Sequence, residues 1–139
     1  MLKGLLPVAA VIIIEDRNLY HFEDSLIFLV ALAAILGHDF SVFLKFKGGK
    51  GVNTTLGASL LIAPYSVIIS VLIYFGVKWK YKIVSLGSLC LAISLPVTEW
   101  VMNNLSLLFY FLLLFAGLII IRHIPNIKRL LIGTENRVQ

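Results

Sequence analysis

Leu60-Leu61-Ile62-Ala63-Pro64-Tyr65-Ser66-Val67-Ile68 lies in the middle of an uncharged run from Asn53 to Val77, and how this run crosses a bilayer decides the fold. If the run crosses once, Lys47 and Lys50 lie on one side and Lys78, Lys80 and Lys82 on the other. If it folds back at Ala63-Pro64-Tyr65, those two clusters share a face with the basic tail Arg122, Lys128 and Arg129. The basic-poor stretches Glu15–Ser25 and Glu99–Asn104 then share the opposite face, as the positive-inside rule requires. Proline lacks a backbone N–H and restricts the residue before it, so Pro64 is a suitable break. Each half is short for a full crossing, which is tolerated where backbone is buried in protein or lines a polar cavity. The expectation is an all-α integral membrane protein, a polytopic helical bundle of about six passes, with a short broken hairpin near Pro64.

Composition supports the membrane reading. Of 139 residues, 60% are hydrophobic and only 14% charged, with a mean hydropathy of +0.98. Soluble domains carry about a quarter charged residues. The other apolar runs are Gly4–Ile14, Leu26–Leu44, Ile83–Pro96 and Leu105–Ile121, with Trp79, Tyr81 and Trp100 at run ends as interfacial anchors. No linker divides them, so residues 1–139 read as a single membrane domain. Pro7 and the lack of a small-residue cleavage site argue against a signal peptide. The lone Cys90 permits no intrachain disulfide and no cysteine metal site. No metal or cofactor is implied. The net charge of +5 suits anionic head groups or an anionic substrate. Nucleic acid fits poorly, because no soluble module remains to bind it.

Between the second and third apolar runs stands Phe46-Lys47-Gly48-Gly49-Lys50-Gly51-Val52. Its glycines allow positive φ and close approach to backbone N–H groups. Successive N–H groups in such a turn make a concave anion site, to which Lys47 and Lys50 add charge. A helix starting near Asn53 would aim its N-terminal N–H groups at the same place. It is no Walker loop: Leu44 stands where the first glycine belongs and Val52 where Ser or Thr should follow. The same residues also suit an ordinary positively charged cytoplasmic loop.

The second constellation is Arg122, His123 and Asn126, emerging at the inner end of the last apolar run. Residues 122–131 can form a short helix ended by Gly133, with His123 and Asn126 on one face unless Pro125 intervenes. Arginine offers a planar fork for phosphate, histidine a proton near neutral pH, and asparagine a hydrogen bond to carbonyl or hydroxyl. Interfacial anchoring accounts for an Arg-His pair equally well. His38 is a second-tier candidate with Asp39 below it, and Lys3 reads first as a snorkelling anchor.

Two long stretches carry a resemblance. Leu36-Gly37-His38-Asp39-Phe40 leading into Phe43-Leu44-Lys45-Phe46-Lys47-Gly48-Gly49-Lys50-Gly51-Val52 resembles the second signature of the bacterial acyl-phosphate:glycerol-3-phosphate acyltransferases. Arg122-His123-Ile124-Pro125-Asn126-Ile127-Lys128-Arg129-Leu130-Leu131-Ile132-Gly133-Thr134-Glu135 resembles the third. The family's seven-pass members begin with a further span and a Gly/Ser/Asn-rich loop, the first signature. Met1 falls where the second span starts, so the chain resembles an N-terminally truncated member. Ser41 replaces the usual proline and Asn53 a small apolar residue.

The resemblance implies transfer of a fatty acyl group from acyl phosphate to the 1-hydroxyl of sn-glycerol 3-phosphate, giving lysophosphatidate, at the cytoplasmic face of the bacterial inner membrane. Catalytic roles fall on Lys50, His123 and Asn126. Substrate phosphate would be bound by Lys47, Gly48, Gly49, Gly51 and Arg122, with His38 and Lys3 in secondary roles. The activated acyl donor needs no nucleophilic serine or cysteine. Glu135 is expected to pair locally with basic residues of the tail. An anion transporter and an inactive fragment are the rival readings.

Overall fold

The computed structural model describes residues 1–16, 24–39 and 49–138. Among them every regular element is helical: α1 (Leu2–Asp16), α2 (Asp24–Asp39), α3 (Val52–Ile62), α4 (Pro64–Tyr81), α5 (Val84–Asn103), α6 (Leu107–Arg122) and α7 (Ile124–Leu131). The break expected within Asn53–Val77 is present. Ala63 leaves the helical region with φ −142° and ψ 57°, its N–H still donating to the Ser59 carbonyl at 2.8 Å, and a new helix starts at Pro64. Proline at the first helical position costs nothing, since that N–H would lack an intrahelical acceptor anyway.

The helices form two compact units, Met1–Pro64 and Tyr65–Gln139. In the first, α1 packs on α3 through small residues. A Cβ on Gly4 would collide with the Thr54 carbonyl oxygen and stand 2.8 Å from the Ala58 nitrogen; one on Gly57 would strike the Met1 carbonyl. Backbones therefore meet directly, as small residues allow between helices in lipid, where apolar side chains gain little by leaving their surroundings. Val8, Ala31, Ile35, Leu56 and Ala58 fill this unit's interior.

In the second unit α5 and α6 pack along Leu91, Leu95, Leu112, Phe115 and Ile119. Helix α5 is long and apolar enough to cross a membrane alone, and α6 passes the same test as a bent pair with α7. Outward faces are apolar: Ile68, Ile69, Leu72 and Phe75 are exposed on α4, whereas Ser66 and Ser70 of the same helix are buried. Polar inside and apolar outside is the pattern expected with lipid as solvent.

One sequence boundary is corrected. The run ending at Pro96, followed by a Glu99–Asn104 connection, is instead one helix through Asn103. Pro96 removes a single ladder bond, which a membrane helix tolerates. The polar residues that suggested a loop are satisfied internally: Ser66 Oγ donates to Glu99 Oε2 and Asn103 Nδ2 to Glu99 Oε1, both at 2.8 Å. Glu99 thereby ties α4 to the end of α5. Glu99→Ala, which strands both donors, is expected to lower stability by roughly 2–4 kcal/mol. Glu99→Gln, which keeps an acceptor, should lose less. Thermal unfolding of the two variants in one detergent separates them, and equal midpoints would refute the tie.

Candidate functional site

The glycine-rich loop enters the described residues at Gly49. Gly51 takes φ 76° and ψ −21°, the left-handed conformation that favours glycine, and forms the N-cap of α3; its carbonyl accepts from Thr55 N at 2.8 Å. Close approach by the end of α2 is a second reason for glycine here. A Cβ on Gly51 would lie 2.7 Å from Asp39 Oδ2, and one on Gly49 would run into the His38 ring. Lys50, between them, is exposed. Gly51, as N-cap, has no side chain to cap α3, so the N-terminal N–H groups of the helix open toward this loop. Asp39 is fully buried against the same end, where the helix dipole favours a carboxylate. The field of the loop is thus partly answered from within, and exposed Lys50 is the charge left to meet an anion from solution. Lys47 and Gly48 lie outside the described residues. Lys3 is exposed beside the α1–α3 contact.

In the second unit, the short helix expected over residues 122–131 is α7, which starts two residues later, at Ile124, and ends at Leu131 before Gly133. Arg122 ends α6, the pair is bent by 61°, and His123 sits at the bend with φ −97° and ψ 3°. Pro125 is the cause: it cannot donate to the Ile121 carbonyl, and it is accommodated in the first turn of α7, where its missing N–H costs nothing. His123 is 2% exposed, and its Nδ1 lies 2.8 Å from the Ile119 carbonyl. A carbonyl only accepts, so Nδ1 carries the hydrogen, and in the neutral ring Nε2 is the basic nitrogen.

Asn126, 4% exposed in the first turn of α7, donates from Nδ2 to Glu135 Oε1 at 2.5 Å. Arg129 Nε donates to Glu135 Oε2 at 2.6 Å. The end of α7 explains how Glu135 returns to its own helix. Gly133 has φ 71°, Gly133 N donates to Leu130 O at 3.2 Å, and Thr134 N donates to Arg129 O at 2.9 Å. This Schellman closure reverses the chain. The local pairing expected of Glu135 is present, and through it Asn126 is held at the bend. Val138 N then donates to Lys82 O at 2.6 Å, joining the tail to the α4–α5 corner.

The Asn126 bond, foremost, lowers the Glu135 carboxyl from 4.5 to about 2. The nearby Ser85 hydroxyl acts the same way without reaching hydrogen-bond geometry, burial opposes, and Arg129 adds the remainder. The folded value lies below the unfolded one. The contribution to stability is therefore complete above about pH 4.5 and is lost as pH falls toward about 2. The gap in unfolding midpoint between this chain and Glu135→Gln should close across that window; a constant gap would refute the linkage.

Sequence reasoning ranked Asp39 last and passed over Ser85 and Ser66. An acid at the end of an apolar run was the one sequence signal for Asp39; its burial and its closeness to Gly51 are tertiary. Nothing in the local sequence marks the two serines. Among the described residues, no group of three or more His, Cys, Asp and Glu side chains could hold a metal.

Fold and polar clusters together define an all-helical integral membrane protein whose charged and hydrogen-bonding residues gather at helix ends. Residues 1–133 match the family model described as glycerol-3-phosphate acyltransferase. Similar relatives bearing that name include one from Syntrophotalea carbinolica, 39% identical across 98% of this chain and 67% of the relative. Another, from Trichlorobacter lovleyi, is 42% identical across 98% and 67%. The crystal structure of PlsY (YgiH), an integral membrane glycerol 3-phosphate acyltransferase, in its glycerol 3-phosphate form, superposes with a TM-score of 0.87 at 33% identity. That match covers 99% of this chain and 66% of PlsY. The lysphosphatidic acid form gives a TM-score of 0.86. The chain belongs to the glycerol-3-phosphate acyltransferase family, and it spans about two thirds of the length of the relatives it matches.

Proposed function

We propose that this chain transfers a fatty acyl group from acyl phosphate to the 1-hydroxyl of sn-glycerol 3-phosphate, releasing lysophosphatidate and inorganic phosphate. The observation that carries the reading is the family match over residues 1–133, which takes in the glycine-rich loop and Arg122, His123 and Asn126. The similar PlsY structures in glycerol 3-phosphate and lysphosphatidic acid forms support the acceptor and the product.

In this reading Lys50, Lys47 and the loop amides neutralise substrate phosphate, with Arg122 as a planar partner for phosphate oxygens. The acceptor hydroxyl oxygen attacks the acyl carbon, the bond from that carbon to the phosphate oxygen breaks, and phosphate leaves. The hydroxyl proton passes to His123 Nε2 or to the departing phosphate. Asn126, fixed by Glu135, orients the carbonyl or phosphate through its side-chain amide. His38 packs under Gly49 and supports the loop. By the positive-inside rule, the basic ends of α3 and α4 face the cytoplasm of a bacterial inner membrane.

Incubation of detergent-solubilised protein with acyl phosphate and labelled glycerol 3-phosphate tests the activity. Labelled lysophosphatidate is the expected product. With no gradient in detergent, transport cannot produce it, and its absence from a folded preparation overturns the reading.

A further inference from the structure

The net charge of the chain resides in its second unit. Residues 65–139 hold seven Lys and Arg against two Glu, while residues 1–64 balance five against five. Of the two glutamates, Glu99 is buried at the far end of the 20-residue helix α5 and Glu135 is bound by Arg129. Among the described residues of this unit, the opposite end of α5 therefore carries several cations and one acid, Glu135, which Arg129 and Asn126 already hold. Lys78, Lys80, Lys82, Lys128 and Arg137 form no salt bridge among the described residues. The bond from Val138 to Lys82 brings the tail to the lysines of the α4–α5 corner.

Exposed apolar groups accompany these cations. Trp79 is 87% exposed between Lys78 and Lys80, and Leu131 and Ile132 at the end of α7 are 81% and 72% exposed. The lysines are held near aromatic rings, Lys78 Nζ 5.9 Å from the Tyr74 centroid and Lys80 Nζ 5.5 Å from that of Tyr81. Helix α7, bent by 61° from α6, buries Asn126 and carries exposed Lys128 on the opposite face. An amphipathic helix turned off a span, with interfacial tryptophan and unpaired lysines beside it, has the chemistry of a surface that meets acyl chains and anionic head groups together.

We propose that the α4–α5 corner and α7 form a binding surface for anionic phospholipid head groups, of the phosphatidylglycerol class, distinct from the acyl-transfer residues. Lys78, Lys80 and Lys82 supply the charge, and Trp79 seats the lipid at the depth of its head group. The surface selects negative charge: a zwitterionic head group presents its own cation to the lysines and gains nothing from them. The surface concentrates anionic lipid around the protein.

Tryptophan quenching tests this without any substrate, so its outcome is independent of the acyl-transfer reading. Trp100→Phe leaves Trp79 as the sole tryptophan of two. The full chain is placed in mixed vesicles of phosphatidylglycerol and phosphatidylcholine in which one lipid or the other carries bromine. Quenching of Trp79 by brominated phosphatidylglycerol should indicate about fivefold enrichment over its bulk fraction. K78Q/K80Q/K82Q should bring quenching back to the bulk proportion while helix content stays unchanged. Should that variant misfold, raising salt from about 0.05 M to about 0.5 M on the unsubstituted chain should abolish the enrichment by screening. Quenching proportional to bulk composition in the unsubstituted chain, enrichment that survives neutralisation in a folded variant, or enrichment that survives high salt overturns the proposal.

Discussion

Replacement of His123 by alanine is expected to reduce acyl-transfer turnover by about 10²- to 10⁴-fold, the range removed with a positioned acid–base group. The ring is buried at the α6–α7 bend with Nδ1 on the Ile119 carbonyl, so Nε2, the proposed base, is held in one orientation. Alanine removes the imidazole without touching Pro125, which causes the bend. The fall should appear in kcat with little change in the KM for glycerol 3-phosphate. Circular dichroism and size exclusion establish that the variant is folded. Near-normal turnover in a folded variant refutes the role of His123. Lys50→Ala provides the companion measurement: Lys50 is exposed, so its loss leaves packing intact and should likewise lower turnover by orders of magnitude.

Gly51→Ala is expected to be comparably damaging, for a backbone reason. A residue with a Cβ at φ 76° costs about 1–2 kcal/mol. Its methyl group would also sit 2.7 Å from Asp39 Oδ2, which is fully buried and has little room to retreat. Either the start of α3 shifts or the end of α2 does, and Lys50 moves with them. Turnover should fall by at least about 10²-fold, since small misplacements at a reacting site carry that cost. Asp39→Gly in the same chain removes the collision and leaves the φ strain. The double variant should therefore recover part of the loss. Activity of Gly51→Ala equal to that of the unsubstituted chain would show that this turn does not position the site.

Much of the architecture was legible because lipid imposes strict rules on a sequence. Apolar runs, basic clusters and Pro64 marked helices that begin and end within a few residues of their expected places. The errors fell where a tertiary partner changed what a residue means. Glu99 and Asn103 read as a polar connection because Ser66, the hydroxyl that receives Glu99, stands 33 residues away. Asp39 read as a helix-end acid because its closeness to Gly51 depends on how α2 meets α3. The sequence leaves the shared face of His123 and Asn126 open because of Pro125, and the structure puts His123 at the bend and Asn126 in the first turn of α7.

By itself the sequence determined the membrane setting, the helical class, the break before Pro64 and the two polar stretches that carry the family resemblance. Those follow from composition, charge distribution and proline geometry, all local properties. The tertiary structure alone decided that Glu135 returns to hold Asn126, that Asp39 underlies Gly51, and that the tail joins the Lys82 corner. Each of these depends on two segments meeting in space, and the free energy of a buried hydrogen bond or a close backbone contact exists only once they have met.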